Sequence, residues 1–523
     1  MAAADPLSTT SPRAVRRWTH GPAHRGSPGT TAGPLYRPRR PTATPLYPVV
    51  QHHLETFLAH AEEADPLGYG LPGWVEKDFR AYLRCGIPAH GFARVRCGDC
   101  GLERLLPFSC KGRGVCPSCS ARRMAEVAAR LTDHVLPHLP LRQWVLSVPK
   151  RLRPYLHHDP GLAGAVLRIF VRAVRSELGR RSPGAPTRVH IAAVSFPQRF
   201  GSSLNPHFHY HVLAIDGVFS EGASGDVRFH EATGLSPDNA QRLARTMQRR
   251  VLRAFRRRGL LDDATADDML TWQATGGFSV DASVRIEGDD RAGVERLVRY
   301  CARPPFALER LHALGDSAAL ASEDARLLYR LPEPDRHGRS ALVLSPFELL
   351  DRISRLVPPP RVHRHRYHGV LAPNAKLRAA VVAIGRGAPD TDTRGPADAA
   401  PPDAGPSGSA GSERARTEAP PGRSRPSRLA WALLLARIYE VLPLICPACG
   451  GPMRIVAFLS EPSVVRPILI HLGLPDRPPP VAPARGPPQA EFDFDQTPGY
   501  DPADADPGPE FEFDQSLPED VDP

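Results

Sequence analysis

Three histidines alternate with aromatic residues in His207-Phe208-His209-Tyr210-His211, and the run passes straight into Val212-Leu213-Ala214-Ile215. That apolar continuation predicts a buried strand, and strand alternation puts all three imidazoles on one face, neighbours about 7 Å apart. Imidazole is the commonest side-chain ligand for ions such as zinc or manganese, and a row of rings is costly to bury without a role. The row reads as a metal site at the end of a sheet.

Cysteines offer a second kind of metal chemistry. Cys97-Gly-Asp-Cys100 and Cys116-Pro-Ser-Cys119 are two C-x-x-C knuckles with a fifteen-residue span between them. That spacing predicts one closed four-thiolate zinc site, structural rather than catalytic. Cys85, Cys110 and His90 are spare donors, read equally well as a second ion or as buried groups. Cys446-Pro-Ala-Cys449 is a further knuckle with no second pair after it; His471 could be a third ligand, though a helix-face histidine is the better reading. The loop Lys111-Gly-Arg113-Gly could meet phosphates, or be no more than a loop tip.

A nucleophile comes from the helix predicted over 293–303. Val294, Leu297, Val298 and Cys301 follow i, i+3, i+4, i+7 and form one apolar stripe. Tyr300 lies about 100° from its edge, with Arg296 at i−4 and Arg303 at i+3 on its own face. A phenol between two guanidiniums suits attack on a phosphodiester: the arginines bind DNA phosphate and a metal polarises a non-bridging oxygen. By itself the trio better suits an exposed tyrosine among solvated arginines. The histidine row tips the reading toward chemistry.

These groups need elements to hold them. The apolar pattern predicts helices over 47–85, 121–135, 162–178 and 240–258, and strands over 144–148, 189–196, 208–215 and 278–286. Strands alternating with long helices make a mixed helix–sheet sandwich. The 240–258 helix is basic and amphipathic, with Leu243, Met247, Val251 and Phe255 on its apolar face. Composition shifts divide the chain into a disordered basic arm (1–46), a helical zinc-binding domain (47–140) and a catalytic domain (141–385). A linker (386–427), a small module with one C-x-x-C (428–475) and a disordered acidic tail (476–523) follow.

The 523 residues carry a net charge of +11, with 59 prolines concentrated at the ends and in the linker. Twelve acids and no Lys or Arg lie beyond residue 485, which leaves the first 485 residues at +23. A body that basic points to a polyanion such as nucleic acid, ahead of a merely solvated Arg-rich surface, which the Ala/Arg/Pro bias also fits. There is no run of eighteen apolar residues to cross a membrane and no secretory leader, so the nine cysteines are read as ligands or thiols rather than disulfides.

Several stretches together resemble one family. They are Cys85-Gly-Ile-Pro-Ala-His-Gly-Phe-Ala-Arg-Val-Arg-Cys97 with the two knuckles, Trp144-Val-Leu-Ser-Val-Pro-Lys-Arg151, and Phe200-Gly-Ser-Ser-Leu-Asn-Pro-His-Phe-His-Tyr-His-Val212. Arg299-Tyr-Cys-Ala-Arg-Pro-Pro-Phe306, Tyr367-His-Gly-Val-Leu-Ala-Pro-Asn374 and the terminal Cys446-Pro-Ala-Cys-Gly-Gly451 continue the match in order. Across about residues 50–475 the chain resembles the rolling-circle transposases of the insertion-sequence-91 family, in the HUH (His-hydrophobe-His) endonuclease superfamily.

The resemblance implies an α+β fold with a ferredoxin-like nuclease core that nicks single-stranded DNA at transposon ends and joins it to a target. Tyr300 would become linked to the 5′-phosphate. His209 and His211 would hold a divalent ion, Mg or Mn, with His207 as third ligand or orienting neighbour and Gln198 as another candidate; zinc would be structural. It implies a bacterial cytoplasmic protein at the nucleoid. Some relatives carry a second tyrosine four residues earlier, where this chain has Arg296, so the resemblance is to the single-tyrosine branch. Passing a strand between tyrosines would then need a homodimer, or reuse of Tyr300. The alternatives are a plasmid replication initiator or relaxase with the same chemistry, and a non-catalytic zinc DNA-binding remnant.

Overall fold

The computed structural model describes residues 40–222, 226–272, 274–335, 337–386 and 444–485. The expected basic arm up to residue 39, nearly all of the expected linker and the tail beyond residue 485 lie outside the described residues.

The chain enters through α1 (Leu46–Ala64) and α2 (Gly73–Arg84). One helix was expected here. The break falls where the Asp65 carboxylate accepts the backbone N–H groups of Leu67, Tyr69 and Gly70, a local alternative to the helical ladder. The hairpin β1 (Phe92–Cys97) and β2 (Glu103–Pro107) follows, then α3 (Pro117–His134), whose first turn opens on proline.

Next comes β3 (Leu141–Ser147), the short α4 (Arg153–His158), and α5 (Pro160–Arg181), whose N-cap Asp159 accepts from Gly161 and Leu162. Then β4 (Ala192–Phe200) and β5 (Pro206–Ile215) pair, and a small hairpin of β6 (Gly217–Glu221) and β7 (Val227–Glu231) follows. Helix α6 (Pro237–Arg256) opens on a Ser236/Asn239 capping box, and α7 (Asp263–Thr271) packs on it. The strand expected over 278–286 is two pieces, β8 (Ser279–Asp281) and β9 (Arg285–Ile286), both on β3. Helix α8 (Arg291–Ala302) starts at N-cap Asp290 and stops just before Pro304.

The main sheet runs β4-β5-β3-β8, antiparallel throughout, with α5 and α6 as the two crossovers packed against each other. That is the βαββαβ order of a ferredoxin-like fold. Side-chain alternation along β5 assigns its two faces. Phe208, Tyr210, Val212 and Ala214 join the core under α5 and α6, while Leu213 and Ile215 join the core under α3 and α8. The histidines share the second face, as the pattern requires. At the far end of β5, the buried Asp216 carboxylate accepts two hydrogen bonds from Arg142 and one from Arg285, each 2.8 Å.

None of the elements described between α8 and residue 386 was foreseen. The sheet of β10 (Leu311–Leu314), β11 (Arg326–Arg330) and β12 (Ala341–Leu344) shares a core with α1 and α9 (Pro346–Leu356). Strand β13 (Arg366–Gly369) adds to the outer edge of β4, and α10 (Arg378–Ala383) covers the histidine-side core.

The C-terminal segment is not a separate module. Strand β14 (Met453–Leu459) lies antiparallel on β1, from Phe92 opposite Leu459 to Cys97 opposite Met453. Helix α11 (Pro462–His471) packs Val465 and Leu469 on Phe92. The first ten residues of the expected tail, 476–485, then lie along α1. Gln51 Nε2 donates to Pro480 O at 2.7 Å, and Arg485 pairs with Glu323 at 3.0 Å.

Candidate active site

The cysteines form two quartets, not one. Cys85, Cys110, Cys116 and Cys119 converge in one place and Cys97, Cys100, Cys446 and Cys449 in another, each with its four sulfurs within 4.8 Å of one another. Thiolates on one tetrahedral zinc at about 2.3 Å stand about 3.8 Å apart, whereas a disulfide needs about 2.05 Å. The spacings here are 3.6–3.7 Å in the first quartet and 3.4–3.5 Å in the second, so both fit zinc.

The expected single site of Cys97, Cys100, Cys116 and Cys119 is therefore corrected, and the β1–β2 hairpin is the reason. Cys97 and Cys100 stand at its tip, while Cys85, Cys110 and the start of α3 stand at its open end. Five or six extended residues separate the two by about 17 Å. The tip closes instead with Cys446 and Cys449, brought in by β14. In both tip knuckles the next residue is a glycine at positive φ, Gly101 (75°) and Gly450 (74°). After Cys119 comes Ser120, and the chain continues as helix. A repeated C-x-x-C-G was the signal that could have paired the knuckles correctly.

On β5 the histidines are nearly sealed from solvent, and their rings run in file, 5.0 and 4.9 Å between successive centroids. Burial pushes His207 down to about 2 and His209 to about 3, with neighbouring positive charge adding to it, and holds His211 well below its usual value. The rings are thus neutral and carry a lone pair each. Among the described residues only the cysteine quartets bring three or more Cys, His or carboxylate donor atoms within 4.8 Å, so the three rings do not close on one point.

Two glutamines extend the donor set. Gln143 Nε2 lies 2.6 Å from His211 Nδ1, while Gln143 Oε1 and His211 Nε2 are buried with no hydrogen-bond partner among the described residues. Gln198, opposite His209 on β4, donates from Nε2 to Cys301 O (2.9 Å) at the C-terminus of α8, and its Oε1 is also orphaned. Buried orphans of this kind are costly and rare. With the Gln143 amide turned over so that its oxygen accepts from His211 Nδ1–H, a cation beside the site would satisfy the two lone pairs that remain, on His211 Nε2 and Gln198 Oε1. Gln143 was not foreseen; a polar residue inside the apolar β3 run was its only signal.

Helix α8 brings Tyr300 onto this row. Its ring meets His211 edge-on, 5.6 Å between centroids and 89° between planes, and the Arg303 guanidinium sits 4.8 Å from the phenol centroid. Burial raises the Tyr300 pKa and Arg303 opposes that shift. Arg303 lies just past the helix, in extended backbone, and still reaches the ring. Arg296 is exposed, and its charge partner is Asp290 at 3.9 Å. Of the two flanking arginines, only Arg303 is in contact with the phenol ring. Arg153, missed from sequence, adds positive potential at His207 and His209 and donates to Val148 O (3.0 Å).

Two transposase family models match separate parts of the chain. Residues 193–378, from β4 to the start of α10, match the transposase family model Y2_Tnp. Residues 49–148, from α1 to the end of β3, match a transposase zinc-binding domain model. Together the two spans cover more than half of the chain. Comparison with curated proteins and with solved structures gave no match. No helix among the described residues is long and apolar enough to cross a membrane.

Proposed function

Because the chain belongs to the insertion-sequence-91 family of transposases, we propose that it nicks and rejoins single-stranded DNA through a covalent bond between Tyr300 and a 5′-phosphate. The observation that carries this reading is the contact of Tyr300 with His211 under Arg303. It joins a nucleophile, a neutral imidazole and a fixed positive charge from elements far apart in sequence, which core packing alone does not require.

The Tyr300 oxygen gives up its proton and attacks phosphorus. The bond from phosphorus to the 3′-oxygen breaks, and that oxygen takes up a proton. One strand end leaves as a 3′-hydroxyl while the other stays on the enzyme as a 5′-phosphotyrosine. The ester bond is conserved, so attack by a new 3′-hydroxyl reverses the step and joins strands without ATP. Arg303 balances the phosphate charge and lowers the cost of forming the phenolate. His209 and His211, with Gln198 and His207 beside them, would hold a divalent ion, Mg or Mn, whose chemistry is to polarise a non-bridging phosphate oxygen. Gln143 orients His211: turning its amide over, so that the oxygen takes the place of Nε2 and accepts from Nδ1–H, leaves the His211 Nε2 lone pair facing the site. One tyrosine per chain implies reuse of Tyr300 or a homodimer.

Purified protein incubated with Mn²⁺ and labelled single-stranded element ends should yield an adduct that survives denaturing electrophoresis. Tyr300→Phe should abolish it, and His211→Ala should lower its rate at least about a hundredfold, each with zinc content unchanged. Equal adduct from wild type and Tyr300→Phe would show the nucleophile to be elsewhere.

A further inference from the structure

A cavity of about 450 Å³ opens where the zinc-binding part meets the main sheet. Its walls come from the loop between Cys110 and Cys116, from α3, from the end of β4, from the residues after α8, and from the segment 358–365 between α9 and β13. Gln198 and Arg303 line it as well, so it adjoins the Tyr300 site directly.

Six arginines line this cavity, Arg113, Arg123, Arg199, Arg303, Arg361 and Arg364, together with His363 and His365, and no carboxylate does. Among the described residues none of the six makes an ion pair. Three of them bond to backbone oxygens instead: Arg113 to Val362, Arg123 to Lys111 and Arg199 to His157. Elsewhere the arginines pair freely with acids, as Arg80, Arg94, Arg256 and Arg285 do. One acid outside the lining, Asp78, attracts Arg113 and Arg364, while its oxygens accept the backbone N–H groups of Arg113, Gly114 and Val115, which shapes the loop. Burial pushes Arg364 down to about 10, with Arg113 and Arg123 adding repulsion. Six guanidiniums gathered with no carboxylate in the lining repel one another and lose hydration, a cost that an anion entering the cavity removes. Phe196 and Phe200 give the same walls apolar ring surface.

We propose that this cavity grips the DNA strand beside the scissile phosphate, its arginines on backbone phosphates, with the zinc-closed loop of Arg113 as one jaw and the 358–365 segment as the other. The proposal rests on the reading of Tyr300 as the cutting residue only for the word scissile; the anion site itself stands on the cavity. It gives the first zinc quartet a part in DNA binding, because Cys110 and Cys116 anchor the two ends of the jaw loop.

The test measures anisotropy of a short fluorescent oligodeoxythymidylate on full-length protein carrying Tyr300→Phe, across a salt series. Arg361→Ala with Arg364→Ala should weaken binding roughly tenfold at moderate salt and lower the log–log salt slope by about 1.4, or 0.7 per lost phosphate contact. Arg249→Ala with Arg250→Ala, an equal charge loss on the exposed side of α6, should change both far less. Equal losses from the two pairs, or an unchanged slope with zinc content and melting intact, overturn the proposal. If the double variant loses zinc, the exposed Arg361→Ala alone is measured against Arg249→Ala under the same criteria. Loss of binding at the cavity together with no covalent adduct from wild type would retain the cavity and reject Tyr300 chemistry, so the two readings fail separately.

Discussion

The two cysteine quartets have the same ligands and differ in almost everything else. The first is mostly buried and joins α2, the end of the hairpin and the start of α3, with Cys85 and Cys119 only 34 residues apart. Two of its thiols, Cys116 and Cys119, sit at the N-terminus of α3, where the helix favours thiolate. The second exposes Cys100 and Cys449 and ties residues 352 apart. Closing the longer loop from an unfolded chain costs about 2 kcal/mol more. The first quartet thus belongs to a fold that forms locally. The second depends on the rest of the molecule to bring its halves together.

Removing one thiol from each should separate the two sharply. Cys116→Ser is expected to unfold the region from α1 to α3, because structural zinc supplies on the order of 10 kcal/mol of folding energy and this thiol is packed among α1, α2 and α9. Calorimetry should show a lost or strongly lowered transition, with zinc content reduced. Cys446→Ser should release one zinc and leave the main melting transition nearly in place; parallel losses from both variants would mean that the quartets fold as one unit. A milder probe is chelation. The exposed quartet should give up its ion first, so zinc release should run in two phases, with the first absent in Cys446→Ser. A single phase would erase the distinction. The smallest effect is expected at Phe458, exposed on β14 and stacked 6.4 Å from Phe108. Phe458→Ala should lose about 1 kcal/mol of local packing and speed that first phase modestly; no change would leave zinc and backbone pairing as the sole hold on β14.

The same contrast explains what could be read in the sequence. The histidine strand, the tyrosine helix and the βαββαβ order were legible because each is a local period of apolar residues. The quartets were half legible. Spacing found knuckles, but partner choice is set by a hairpin too long for its two ends to share an ion and by a strand that arrives hundreds of residues later. The matched zinc-binding model likewise spans 49–148 and so holds six of the eight thiols. Gln143 and the arginine-lined cavity were illegible for a related reason. Neither has a period, and the cavity gathers residues from five segments that only tertiary packing brings together.

The late arrival of β14 also bears on how the protein is made. Cys100 and Cys446 lie 346 residues apart, so a ribosome adding roughly 5–20 residues per second delivers the second about 20 to 70 s after the first. During that interval the edge of β1 that β14 will cover is bare, next to two thiolates with half a zinc site. Such an edge invites pairing with other chains. A nascent transposase therefore passes through a period when its own C-terminal strand, still unsynthesised, is the protection it lacks, and chains cut short before Cys446 would keep that sticky edge permanently.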